Sequence, residues 1–164
     1  MQSVKKTEKL KNWLKVINDE IERTGTTTPE SEGIIFLLLS YFNEDIDQVV
    51  RFYELNDIED DRNMPMTPFI AVLGDSIFQT EDDNFKIVIE GKIMYSIKSF
   101  IKAIAIWFMT FYVFDIKYPL KADCTLEFFQ HYIMNMNKEK KSQKKKRLTV
   151  NARVLTLASS IEHY

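Results

Sequence analysis

Cysteine, histidine, glycine and proline are all scarce in this chain of 164 residues, which holds one, two, four and four of them. One cysteine excludes an internal disulfide and a cysteine-rich zinc module, and fits a reducing compartment. The expected setting is therefore intracellular, in the nucleus or the cytoplasm. Four glycines leave little for a glycine-rich phosphate loop. No apolar run approaches the roughly 20 residues of a bilayer span. The most apolar stretch, Ala103 to Phe114, is interrupted by Thr110 and bounded by Lys102 and Asp115, so it reads as a core helix. The amino-terminal stretch is lysine-rich and amphipathic, without the apolar core of a secretory signal.

What the chain does have is aromatic and apolar mass. It is 45% hydrophobic and carries 12 Phe, 7 Tyr and 2 Trp, too many for a disordered chain. The length suits a single globular domain, 1–164, with one good core.

The formal net charge of -2 averages two opposed blocks. Residues 26–68 hold ten acidic and two basic side chains, and residues 138–164 hold eight basic and two acidic. A polyanionic partner for the whole surface is not implied, and each block is read by itself.

Leu10, Trp13, Leu14, Ile17 and Ile21 recur at helical spacing and predict a helix from Val4 to Arg23. Gly25 stops it. Thr28 then reads as an N-cap with Pro29 at the first helical position, opening a second helix through Phe42. Residues 43–68 suit a short helix or a strand followed by an acidic loop. Phe69–Leu73 reads as a buried strand. Phe85–Ile89 and Ile93–Ile97, joined through Glu90-Gly91-Lys92, read as a hairpin. Ser99 caps the next helix, Phe100 to about Phe114, expected at the centre with sheet on one side and helices on the other. A further helix is expected over 123–136, then a basic linker, then a last helix over 150–164. The fold class is α+β: a small antiparallel three-stranded sheet packed against about five helices.

Several patterns invite chemistry. Gly74-Asp75-Ser76 after a strand resembles the start of the GDSL-type hydrolases, whose serine needs a base and oxyanion donors. The two histidines, His131 and His163, stand outside the block that supplies that base, so a strand-ending turn is the stronger reading. Glu127 and His131, one turn after Cys124, have ligand spacing, but a metal site needs three or four ligands. An ordinary i, i+4 pair is expected instead. Asp57, Glu59, Asp60 and Asp61 fail the EF-hand pattern at its glycine and final glutamate, and read as a solvated acidic loop able to dock a basic partner. Lys138, Lys140, Lys141, Lys144, Lys145, Lys146 and Arg147 form the most specific feature. It reads as a linker, a nuclear-import signal or a nucleic-acid contact, with no interleaved aromatics for stacking.

Within 67–137, Thr67 to Gly74, Phe85 to Gly91, Ser99-Phe100, Phe111 to Pro119 and Thr125 to Gln130 form a further pattern. It resembles the C-terminal domain of a group of insect and fish proteins, some named sterile alpha motif domain-containing protein 3-like. The resemblance implies a fold and supplies no catalytic residue set. Its residues read as core and corners: Phe111, Phe114 and Phe128 filling space between helices and sheet, and Tyr118-Pro119 fixing a turn.

These readings converge on a non-catalytic protein–protein interaction domain, able to self-associate, with no cofactor, metal or membrane span expected. A nuclear nucleic-acid-associated protein using 138–147 is the alternative, and a hydrolase using Ser76 the third reading.

Overall fold

The computed structural model describes residues 2–54, 57–78, 83–136 and 150–162. It is a mixed α+β structure, and its chain divides into two compact units, Met1–Ala122 and Asp123–Tyr164.

The first unit begins with two helices, α1 (Gln2–Thr24) and α2 (Thr28–Phe42). They approach closely where Gly33 of α2 faces Ile17 of α1: a Cβ on Gly33 would overlap the Ile17 side chain. Trp13 stacks on Phe36 at 4.0 Å nearby, adding ring contact to the seam. The start of α2 differs from expectation by one residue. Thr27 holds the cap position without a side-chain bond, and Pro29, which has no N–H to satisfy, sits in the first turn. Asn43 ends the helix in the left-handed region, returning its N–H to the Leu39 and Ser40 carbonyls.

Four strands follow: β1 (Val50–Tyr53), β2 (Phe69–Leu73), β3 (Phe85–Ile89) and β4 (Lys92–Ile97), in spatial order 1-2-3-4. This corrects the expected three-stranded antiparallel sheet. β2, β3 and β4 are antiparallel, but β1 joins β2 in parallel, Val50 against Ile70 through Tyr53 against Leu73. A parallel neighbour needs a long crossover, and the acidic stretch 54–68 supplies it. The β3–β4 turn matches expectation. Glu90 and Gly91 both have positive φ, as a two-residue type I′ hairpin requires.

Alternation along the strands gives the sheet two buried faces. Phe85 turns towards the helices and meets Phe100, which in turn meets Phe36. Phe69, Ala71 and Val88 turn the other way, where Ile58, Tyr53 and Met64 cover them. The crossover is thus a packed strap across the second face.

Helix α3 (Phe100–Val113) starts where expected, with the Ser99 hydroxyl accepting from the Lys102 N–H. Phe100, Ala103, Ile104, Trp107, Phe108 and Phe111 are buried. The expectation that helices would also cover the opposite side is corrected, because that side is exposed. Phe114, expected in the core, caps the helix and is half exposed. The corner after it holds as expected, with the Tyr118 hydroxyl 3.0 Å from that of Tyr112 and the Tyr118 ring edge-on to Phe111.

In the second unit, α4 (Asp123–Phe128) widens into a π-helical turn, Phe129–Ile133, so the expected helix to Met136 ends earlier. Helix α5 (Ala152–Glu162) opens on Asn151, whose side-chain oxygen accepts from the Arg153 N–H. No helix among the described residues is long and apolar enough to cross a membrane.

Candidate interaction surface

A helix on a protein surface normally turns polar residues outward. Helix α3 does not. Ile101, Ile106, Met109 and Val113 are 41%, 38%, 39% and 69% exposed, with Ala105 exposed among them. Lys102 is the only charged side chain in the whole helix. The apolar surface continues past the helix end with Phe114. The cause lies in the sequence: residues 100–114 are apolar at almost every position, so burying one stripe of a straight helix leaves the rest in water.

Strand β4 is also exposed and apolar, at Ile93, Met94 and Tyr95. It lies at an end of the sheet, where an unpaired edge can recruit a foreign strand. Two devices oppose that here. The β3–β4 pairing slips at Ile87/Val88, a bulge that breaks the regular ladder. Lys92 and Lys98 stand exposed at the two ends of the strand, while Lys86 reaches across to the Ser96 hydroxyl at 3.0 Å. Edge lysines and bulges are how sheets resist pairing. The outer face of α3 carries no comparable guard.

In the acidic loop, Asp61 is committed to the fold. One carboxylate oxygen of Asp61 accepts from the Arg51 guanidinium at 2.9 Å and from the Tyr53 hydroxyl at 2.8 Å. The other accepts from the Asn63 N–H at 2.8 Å. Arg51 also donates to the Asp47 and Asn63 carbonyls, and lies 5.6 Å over the Phe69 ring. The Tyr53 hydroxyl, the Asn63 N–H and Arg51 hold the Asp61 carboxyl below the usual range. Burial, with the Asp61 carboxylate beside it, pushes the Tyr53 phenol up to about 12. Asp61 is therefore the anchor of the strap. Asp57 is exposed, and the Glu59 and Asp60 side chains lie outside the described residues.

No family model, curated protein or solved structure matches the chain.

Ser76 accepts a hydrogen bond from the Phe78 N–H at 3.2 Å, the geometry of a local turn. Both histidines fall in residues 123–164, so the unit that contains Ser76 has none. In the second unit, Glu127 is not the exposed helical partner expected for His131. Its carboxylate accepts from the Asn151 N–H at 3.0 Å, and the winding changes to π between the two residues. The Cys124 sulfur accepts from Arg153 at 3.6 Å. The basic run Lys138, Lys140, Lys141, Lys144, Lys145, Lys146 and Arg147 lies outside the described residues.

An open cleft of about 330 Å³ lies at the α1–α2 turn, lined by the polar Glu20, Thr24, Glu32 and Lys98 and by the apolar Phe78 and Phe100 among others. Burial, and then the nearby Glu20 charge, push the Glu32 carboxyl up to about 6. Its folded value exceeds its unfolded one, so its contribution to stability is present below the ordinary carboxylate value and is lost as pH rises through about 6. Glu32→Gln should therefore stabilise the fold at pH 7.5 by on the order of 1 kcal/mol after discounting for partial exposure, with a matching rise in melting temperature. The gain should vanish near pH 4.5. Thermal melts at the two pH values check it, and an equal shift at both would contradict the assignment.

Proposed function

We propose that the chain is a non-catalytic protein-interaction domain whose contact surface is the outer face of α3. One observation carries this reading: the outward side of that helix is apolar from Ile101 to Val113 and bears only Lys102 as a charge. Contiguous exposed apolar surface of this kind is costly in water and marks protein contact sites. The two other readings have less beneath them. Ser76 is engaged in its own turn, and the basic run is a property of the sequence alone.

The double substitution Met109→Glu with Val113→Glu separates surface from fold. Both side chains are exposed, so the melting temperature should stay close to the parent's, within about 0.5 kcal/mol in stability. Contacts made through the face should be lost, because each glutamate would be buried unpaired against an apolar partner. Cross-linking in native cells, parent beside variant, is the measurement. Identical cross-linked species from both would refute the assignment of this face.

A further inference from the structure

We infer that the occupant of the α3 face is a second copy of the same chain, packed helix against helix in antiparallel orientation about a two-fold axis. The inference rests on the reading of α3 as a contact surface and names its partner.

Lys102, Ile106, Met109 and Val113 are spaced by four, three and four residues and form one stripe along the exposed side. That spacing is the seam of a pair of packed helices. The stripe is also its own complement when reversed. An antiparallel two-fold places Ile106 of one copy opposite Met109 of the other, twice, and Lys102 level with Val113. Two residues beyond Val113 lies Asp115, exposed and bearing the first charge after the helix. Each lysine then reaches an aspartate of the other copy.

The helix dipole points the same way. Lys102 sits in the first turn of α3, where the dipole is positive and a cation is disfavoured. The helix has no acidic residue in its first turn and no basic residue in its last. Reversing a second copy moves Lys102 to that copy's negative end and supplies the missing compensation at both ends. Among the described residues, no ion pair engages Lys102 or Asp115. A parallel pair would instead set Lys102 against itself. The two-fold arrangement is isologous, so it closes at two copies and leaves no open end.

A face one 14-residue helix long is small beside the interfaces of permanent dimers, so the association should be weak and reversible. Sedimentation equilibrium of the full chain should show mass rising from 19.4 kDa towards twice that value. The range to cover is about 1 to 500 µM, where a weak complex titrates. Lys102→Glu should weaken the dimer at least about tenfold, by setting like charges together at both ends. Adding Asp115→Lys to it should restore the parent affinity to within about threefold, with thermal melts of each variant confirming the fold. Met109→Glu should abolish association without touching either charge.

A parent chain that stays monomeric over the whole range overturns the inference. So does a double variant as weak as Lys102→Glu alone, since only the antiparallel register joins these two positions. If the parent is monomeric and yet the Met109/Val113 double glutamate variant loses a cellular cross-link, self-pairing falls and the contact face stands. If neither effect is seen, both fall together.

Discussion

Trp107→Ala should lower the unfolding free energy by about 3–5 kcal/mol, the cost of a large buried aromatic truncated in a core that only partly collapses. Trp107 is fully buried in α3 and meets Phe111 edge-on at 5.5 Å. It also does something a smaller hydrophobe cannot. Its indole N–H donates to the Pro68 carbonyl at 2.7 Å, tying the helix to the residue that enters β2. Alanine removes the volume and leaves that carbonyl unpartnered, which adds about 1–3 kcal/mol if water does not reach it. Trp107→Phe keeps most of the volume and loses the donor, so its cost should fall clearly below that of alanine. Urea titration followed by far-UV circular dichroism gives both numbers. A cost for alanine under about 1 kcal/mol, or equal costs for the two variants, would show that neither packing nor the hydrogen bond acts as described.

Asp61→Ala should cost about 2–3 kcal/mol, the range for charge-assisted hydrogen bonds lost from a partly buried site. The side chain gathers three donors from two segments: Arg51 and Tyr53 on β1, and Asn63 on the strap. Its removal leaves Arg51 and Tyr53 beside Phe69 without their common acceptor. The damage should be local before it is global. Amides of β1 and of residues 57–64 should exchange with solvent faster than those of β3, because Ile58 and Met64 are held on the sheet by this anchor. The pH dependence follows from the direction of each shift. The Asp61 carboxyl is held below its ordinary value, so its contribution is present above that value and disappears as pH falls through the folded one. The Tyr53 phenol is raised, so its contribution is present below its ordinary value and is lost as pH climbs towards about 12. The alanine variant should lose the acid limb. Uniform exchange across the sheet would show that the strap is not an independent anchor.

Much of the first unit was legible because its signals are local. Glu90-Gly91 between two alternating runs specifies a hairpin, since only a short positive-φ turn joins strands that way. Ser99 before an apolar run specifies a helix start. β1 was legible only as one of two alternatives, a short helix or a strand, because what decides it is remote. Four residues, one of them the exposed Phe52, become a strand by pairing with Ile70 to Leu73 across the crossover. The role of Asp61 was not legible for a similar reason. Charge counts in a sequence do not show that Asp61 is consumed by Arg51 and Tyr53, although Arg51 and Asp61 stand on either side of a buried isoleucine. The α3 face was half legible. Its apolar character is plain in residues 100–114, but a uniformly apolar helix does not state how much of it will be covered. Burial requires a second layer, and the helices of the first unit meet only the inner stripe.

Both tryptophans belong to the first unit, one stacked between α1 and α2 and the other beneath β2. Residues 123–164 contain none. Light absorbed near 295 nm is therefore re-emitted by residues 1–122 alone, whatever the rest of the chain is doing. An emission spectrum of the intact protein watches α1, α2, α3 and the sheet selectively, and leaves α4 and α5 dark.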